Sequence, residues 1–205
     1  TPEVDTVENG YSVTPRDGGE SRRFNSLEAA CEAAPDGGVV ELRFNGLRRE
    51  SPIKVRRRLT LRAARGFHPV IEFQPVQVPG EGWQARMITI VGGSLEVVGL
   101  ELRLLARPES LSGGGALISM ERGDAVRISE STLTLADGDR QFVAAIEVDP
   151  GSARAMADME MSRSSTRTAP TIELDHCLIR GQGVGLNLRG SDPVVCSIRH
   201  TVAAL

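Results

Sequence analysis

The stretch Ser94–Leu104 reads SLEVVGLELRL, two short apolar runs on either side of one glycine. Three later stretches align with it without gaps: Ala125–Leu135 (AVRISESTLTL), Thr171–Gly181 (TIELDHCLIRG) and Val195–Leu205 (VCSIRHTVAAL). In each, apolar and polar residues alternate on both sides of a single turn position, the pattern of two short half-buried strands. Leu95, Val126, Ile172 and Cys196 share one position of the repeat, and Val97, Ile128, Leu174 and Ile198 the next inward one. After the turn, Leu102, Leu133, Ile179 and Ala203 share a third. The turn position holds Gly99, Glu130, His176 and His200. It accepts large side chains and therefore faces outward.

The totals agree with a strand-rich domain. The 205 residues suffice for one domain with a sizeable core. Hydrophobic content is 40% but aromatic content only 3%, so the core has to be aliphatic. A net charge of −3 gives no general attraction to nucleic acid or to a membrane surface. No run approaches the roughly 20 apolar residues of a membrane-spanning helix. Cys31, Cys177 and Cys196 lack metal-site spacing and cannot all pair, which predicts buried free thiols. The chain starts at Thr1 and stops within a repeat, which predicts a segment of a longer protein that continues past Leu205 beside flanking domains.

Working outward from the repeat, residues 1–23 are polar and read as a linker or lead-in. Asn25 or Ser26 then caps a short helix, SLEAACEAA, with Leu27, Ala30 and Cys31 on one face, and Pro35-Asp36-Gly37-Gly38 ends it. From Val39 the chain reads as strands only, a first one (39–44) and then five triplets. The middle strands of the triplets recur at Leu61, Val97, Ile128, Leu174 and Ile198, at intervals of 36, 31, 46 and 24 residues. A fixed triplet with variable connections is the mark of a stacked repeat whose insertions go to outside loops. Those loops fall at 74–86, 106–115, 137–143 and the long 150–170. The strands lie too close together for crossover helices.

The capping helix SLEAACEAAPDGGVVEL, the segment LTLRAARGFHPVIEF and the four 11-residue repeats together resemble the right-handed parallel β-helix of the pectin-lyase-like superfamily, over residues 24–205. The resemblance implies an all-β fold of about five coils with an N-terminal capping helix. It extends to non-catalytic β-helix domains attached to large bacterial proteins, some of them serine/threonine kinases. The segment Ile172–Cys177 (IELDHC) is similar to the WIDH stretch of pectate lyases at Asp175 and His176, but Glu173 replaces the tryptophan. The plainer reading of both residues is structural, because His200 takes the same repeat position. The paired-aspartate, GHG and RxK signatures of polygalacturonases are absent.

Three groups of residues carry candidate chemistry. With Ile88, Ile118, Ile146 and Leu186 inward, the first strands present an outward column of Thr89, Ser119, Glu147 and Asn187. Val91, Glu121, Asp149 and Arg189 form the next column. In the lyases that the fold resembles, this face carries acidic residues for calcium and an arginine base. Were the chain an enzyme of that kind, the resemblance would imply Glu147, Asp149 and Arg189 as the catalytic residues of a polysaccharide lyase or hydrolase, with calcium as its ion; the non-catalytic reading expects no cofactor. The plainer reading is a surface ion pair between Asp149 and Arg189. Trp83, the sole tryptophan, lies in a loop beside this face and either stacks on a sugar ring or anchors its loop. An arginine-rich stretch, with Arg48, Arg49, Arg56, Arg57 and Arg58 at its centre, holds nine basic residues over 41–65 against Glu41 and Glu50. It reads as a surface for an acidic glycan or partner, or as a solvated exterior. No aromatics interleave, so base stacking is not expected.

The sequence therefore predicts a non-catalytic module that presents Trp83, Ser119, Glu121, Glu147, Asp149, Asn187 and Arg189 to a glycan or protein. A polysaccharide-cleaving enzyme and a purely architectural spacer are the alternatives.

Overall fold

A computed structural model describes residues 10–15, 19–78, 82–105, 114–136, 143–149, 169–190 and 193–205. The expected loops 106–115, 137–143 and 150–170 lie mostly outside the described residues. What is described is all-β apart from one short helix, and its strands pair mainly in parallel.

Three sheets carry the structure. Sheet I runs, edge to edge, through Arg22–Phe24, Tyr11–Thr14, Gly38–Leu42, Leu59–Ala63, Ser94–Val98, Ala125–Ser129, Thr171–Asp175 and Val195–Arg199. Sheet II runs through Val184–Leu188, Val143–Val148, Gly115–Met120, Arg86–Ile90 and Ile53–Val55. Sheet III runs through Val202–Ala204, Leu178–Gly181, Thr132–Ala136, Glu101–Leu105, Pro69–Phe73 and Gly46–Glu50. From Ile53 onward the chain visits sheet II, then I, then III, five times.

The expected columns are the observed register. Leu95 pairs with Val126, Val126 with Ile172 and Ile172 with Cys196. Val97, Ile128, Leu174 and Ile198 follow two residues on, and Leu102, Leu133, Ile179 and Ala203 do the same in sheet III. Period-two alternation puts these side chains on one face. Those from Leu95, Val97 and Leu102 to Ile172, Leu174 and Ile179 join a single, mainly aliphatic core that extends from Tyr11 to Ile179, whereas Cys196, Ile198 and Ala203 in the last repeat are exposed. On the polar face of sheet I, Glu96, Arg127 and Glu173 lie side by side, and Arg127 Nε meets Glu173 Oε2 at 3.1 Å.

The turn position has a conformational requirement that the sequence pattern did not reveal. Gly99, Glu130, His176 and His200 all have positive φ, at 69°, 51°, 53° and 47°. The left-handed turn costs a residue with a Cβ roughly 1–2 kcal/mol, and glycine almost nothing. The N–H of Gly99, Glu130 and His176 each reaches the carbonyl of the residue before the turn in the next repeat, Ser129, Asp175 and Arg199. The ladder of hydrogen bonds thus continues through the corner.

The helix, Leu27–Ala33, starts where expected. Ser26 is its N-cap, accepting from the Ala29 N–H, and Leu27, Ala30 and Cys31 are buried. It packs against Tyr11–Thr14, Arg22–Phe24 and Ile53–Val55. Of the lead-in read at residues 1–23, residues 10–15 and 19–23 are described, and there the reading is corrected. Tyr11–Thr14 pairs antiparallel with Gly38–Leu42, and Arg22–Phe24 pairs with Tyr11–Thr14. Glu50 fastens the strand Tyr11–Thr14 and the start of the helix, accepting from Tyr11 Oη at 2.7 Å and from the Leu27 N–H at 3.0 Å. Two further strands, Val76–Val78 and Gly82–Gln84, form a hairpin inside the expected 74–86 loop.

The expectation of three buried thiols holds for two. Cys31 and Cys177 are buried, whereas Cys196 is exposed. Its repeat is covered on one side only, so Ile198 is 53% exposed while its register partner Leu174 is 1% exposed. Burial, reinforced by Glu50, Glu28 and Glu32, pushes the Cys31 thiol up to about 12. Burial also raises Cys177.

Three outcomes follow. A thiol-disulfide reagent at mild alkaline pH should modify Cys196 alone in the native protein and all three cysteines after unfolding, as counted spectrophotometrically. In denaturant titrations Gly181→Ala should cost at least about 2 kcal/mol, because φ is 119° and a Cβ would lie 1.9 Å from the Leu135 carbonyl oxygen. Glu130→Gly should instead raise stability by about 0.5 kcal/mol, the left-handed strain less the added unfolded-state freedom of glycine.

Candidate functional site

The first-strand face, sheet II, is where the expected site residues gather. The paired register puts Thr89, Ser119, Glu147 and Asn187 in one row. Backbone bonds from Glu121 to Ile90, from Asp149 to Met120 and from Arg189 to Val148 extend the ladder past the strand ends. Val91, Glu121, Asp149 and Arg189 thus form the second row.

The first row is not an open face, and this is the main correction. Thr89, Ser119 and Glu147 are 5%, 0% and 2% exposed. Every residue of the central strands Gly115–Met120 and Val143–Val148 is buried. A ligand on the surface does not reach Ser119 or Glu147. Among the described residues the Ser119 hydroxyl has no hydrogen-bond partner, a local cost of about 1–3 kcal/mol.

Glu147 is the centre of an ion cluster. Arg86 Nε donates to its Oε1 at 2.7 Å, and Arg189 Nε and Asn187 Nδ2 each approach its Oε2 at 3.3 Å. Arg86 also reaches Asp149 Oδ2 at 3.5 Å. The two arginines thus converge on Glu147 in place of the expected Asp149–Arg189 pair. A buried carboxylate requires such partners. With both oxygens bonded, Glu147 is placed as a structural anchor and not as a base open to substrate.

Beside the cluster lies a depression of about 260 Å³ lined by Lys54, Trp83, Arg86, Thr89, Val91 and Glu121, among others. Trp83 sits on the 76–84 hairpin opposite Gln77 and is 42% exposed. The hairpin therefore holds the indole at the rim of a polar hollow. Arg86 belongs to both features, lining the hollow and pairing with Glu147. Neither Arg86 nor Lys54 stood out in the sequence as part of this site. Arg86 meets Glu147 across 61 residues of chain, and nothing local to either residue announces it.

The arginine-rich stretch is distributed between two sheets. Arg48 and Arg49 lie on the Gly46–Glu50 strand of sheet III, while Arg56, Arg57 and Arg58 fill the corner between sheets II and I. Arg48 lies over the Phe44 ring at 4.4 Å, and Arg49 pairs with Glu72 at 2.9 Å. Arg57 donates to the Ala34 carbonyl at the helix C-terminus, and Arg58 pairs with Asp36. Arg56, with Lys54, Glu28 and Glu32, lines a second hollow of about 500 Å³ under the helix. Much of the local positive charge is thus matched within the fold.

Among the described residues, one group of His, Cys, Asp or Glu side chains is close enough to share a metal ion. It is Asp175, His176 and His200, at the turn between sheets I and III. It is not the acidic set Glu147 and Asp149 to which the lyase alternative would assign calcium.

The ion cluster generates a test. Glu147→Ala should destabilise the protein by about 2–3 kcal/mol in denaturant titrations. That is less than a fully buried pair loses, because the side chains of Arg86 and Arg189 are 35% and 45% exposed. Ser119→Ala should be neutral or stabilising by up to about 1 kcal/mol, since it removes an unpartnered hydroxyl. In the comparisons with known proteins, no family model, no curated protein and no solved structure matches the chain.

Proposed function

We propose that the chain is a non-catalytic module built as a right-handed parallel β-helix, similar to the pectin-lyase-like superfamily, that binds a carbohydrate at the Trp83 hollow. The five returns of the chain through sheets II, I and III, with equivalent residues in register, support the helical reading of the sheets. Each such return is then one coil, and the helix Leu27–Ala33 is the cap. A module of this kind suits a larger, bacterial protein with flanking domains in the same chain.

The observation that carries the binding reading is the exposure of Trp83 over a polar hollow. An indole face offers apolar contact to a sugar ring, while Lys54 and Glu121 around it offer hydrogen bonds to hydroxyls. Burial of Ser119 and Glu147, and the engagement of Arg189 by Glu147, favour this over bond cleavage. Among the described residues no helix is long and apolar enough to cross a membrane.

Trp83 is the sole tryptophan, so its emission reports on the site directly. A glycan array should yield ligands that quench or shift this emission in titrations. Trp83→Ala should weaken their binding at least about tenfold, or more than 1.4 kcal/mol, without loss of the β-type circular dichroism. Glu121→Gln should weaken it several-fold. Absence of any glycan ligand, or full binding by Trp83→Ala, would overturn the reading.

A further inference from the structure

The turn that links sheets I and III brings two histidines and an aspartate together on the surface. Asp175 ends the strand Thr171–Asp175, His176 follows it, and His200 occupies the same turn position one repeat later. Asp175 Oδ1 lies 3.0 Å from His176 Nδ1 and 3.0 Å from His200 Nδ1. The two imidazoles stack with centroids 4.4 Å apart and planes 24° from parallel.

The backbone holds this arrangement in place. Both histidines have positive φ, and His176 N donates to the Arg199 carbonyl at 3.2 Å. That bond fixes the register of the two turns. The side chains themselves are 49%, 60% and 67% exposed for Asp175, His176 and His200, so a solvated ion has access.

We propose that Asp175, His176 and His200 form a site for a divalent transition-metal ion of the zinc type, bridging two successive repeats. Two imidazole nitrogens and one carboxylate oxygen are a donor set that such ions favour over calcium or magnesium. With metal–ligand bonds near 2.0–2.1 Å, ligand atoms of a tetrahedral site lie about 3.3–3.4 Å apart. Both Asp175 contacts are close to this and the whole group falls within 4.8 Å, so side-chain rotations that unstack the two exposed rings, bringing each into plane with the ion, would complete it. The ion would take the lone pairs that now share protons around Asp175 Oδ1 and would leave at least one position for water. His68, the remaining histidine, is not in the group. The site lies on a different corner from the Trp83 hollow and does not depend on glycan binding. An ion that binds this native arrangement more tightly than the unfolded chain stabilises it by mass action.

Calorimetric titration of zinc into tag-free, chelator-treated protein tests the site, with Cys196→Ser included to remove the exposed thiol. One ion per chain is expected at micromolar affinity, with a rise in the thermal midpoint. His176→Gly and His200→Gly should each weaken uptake at least about tenfold. Glycine suits the left-handed turn, as at Gly99, so both variants should fold, and circular dichroism checks that they do. His68→Ala should leave uptake unchanged. No saturable one-to-one uptake at about 100 µM zinc, far above a micromolar dissociation constant, would overturn the proposal. Uptake retained in both glycine variants would overturn it as well.

Discussion

Parallel pairing in register is the constraint on which the rest of the structure depends. It places residues from successive repeats side by side, so each position of the repeat becomes a row of like side chains. A row that faces inward has to be apolar throughout, because an unpaired polar group there is costly. Val97, Ile128 and Leu174 satisfy this and are buried. Ile198 is equally apolar but has a neighbour on one side only, and half of it meets solvent. Burial in this architecture is thus shared between neighbours and not conferred by a residue's own repeat.

The polar features follow from the same rule. Glu147 sits in a row with Lys54, Thr89, Ser119 and Asn187, and the central strands of the sheet are buried around it. Its charge is tolerated because Arg86, Arg189 and Asn187 surround it. Arg86 in turn lines the hollow beneath Trp83. The buried cluster and the exposed hollow therefore share one side chain, and the rim of the hollow is positioned from inside.

The repeat register could be read from the sequence because period-two alternation and the recurring turn are local properties. The helix and its Ser26 cap could be read for the same reason. The short strands Tyr11–Thr14 and Arg22–Phe24 could not, since polar flanks hide a pairing that exists only once Gly38–Leu42 is in place. The row Thr89–Ser119–Glu147–Asn187 was legible as a row but not as buried, because alternation shows which residues share a face and not what covers it. The positive φ shared by Glu130, His176 and His200 was hidden for another reason. Side-chain size at a turn says it faces out, but only the backbone shows that the turn is left-handed.

The unequal spacing of the repeats has a further consequence. Register partners such as Leu174 and Ile198 are 24 residues apart, and Ile128 and Leu174 are 46 apart, yet each pair closes the same ladder. Closing a flexible loop costs entropy only as the logarithm of its length, about 0.6 kcal/mol for a doubling. The corners can therefore lengthen, shorten or be exchanged between descendants at little energetic penalty, while a single substitution in an inward row is felt by both of its neighbours. Variation should accumulate at the corners and leave the rows almost untouched, so the surface can diversify far faster than the frame that carries it.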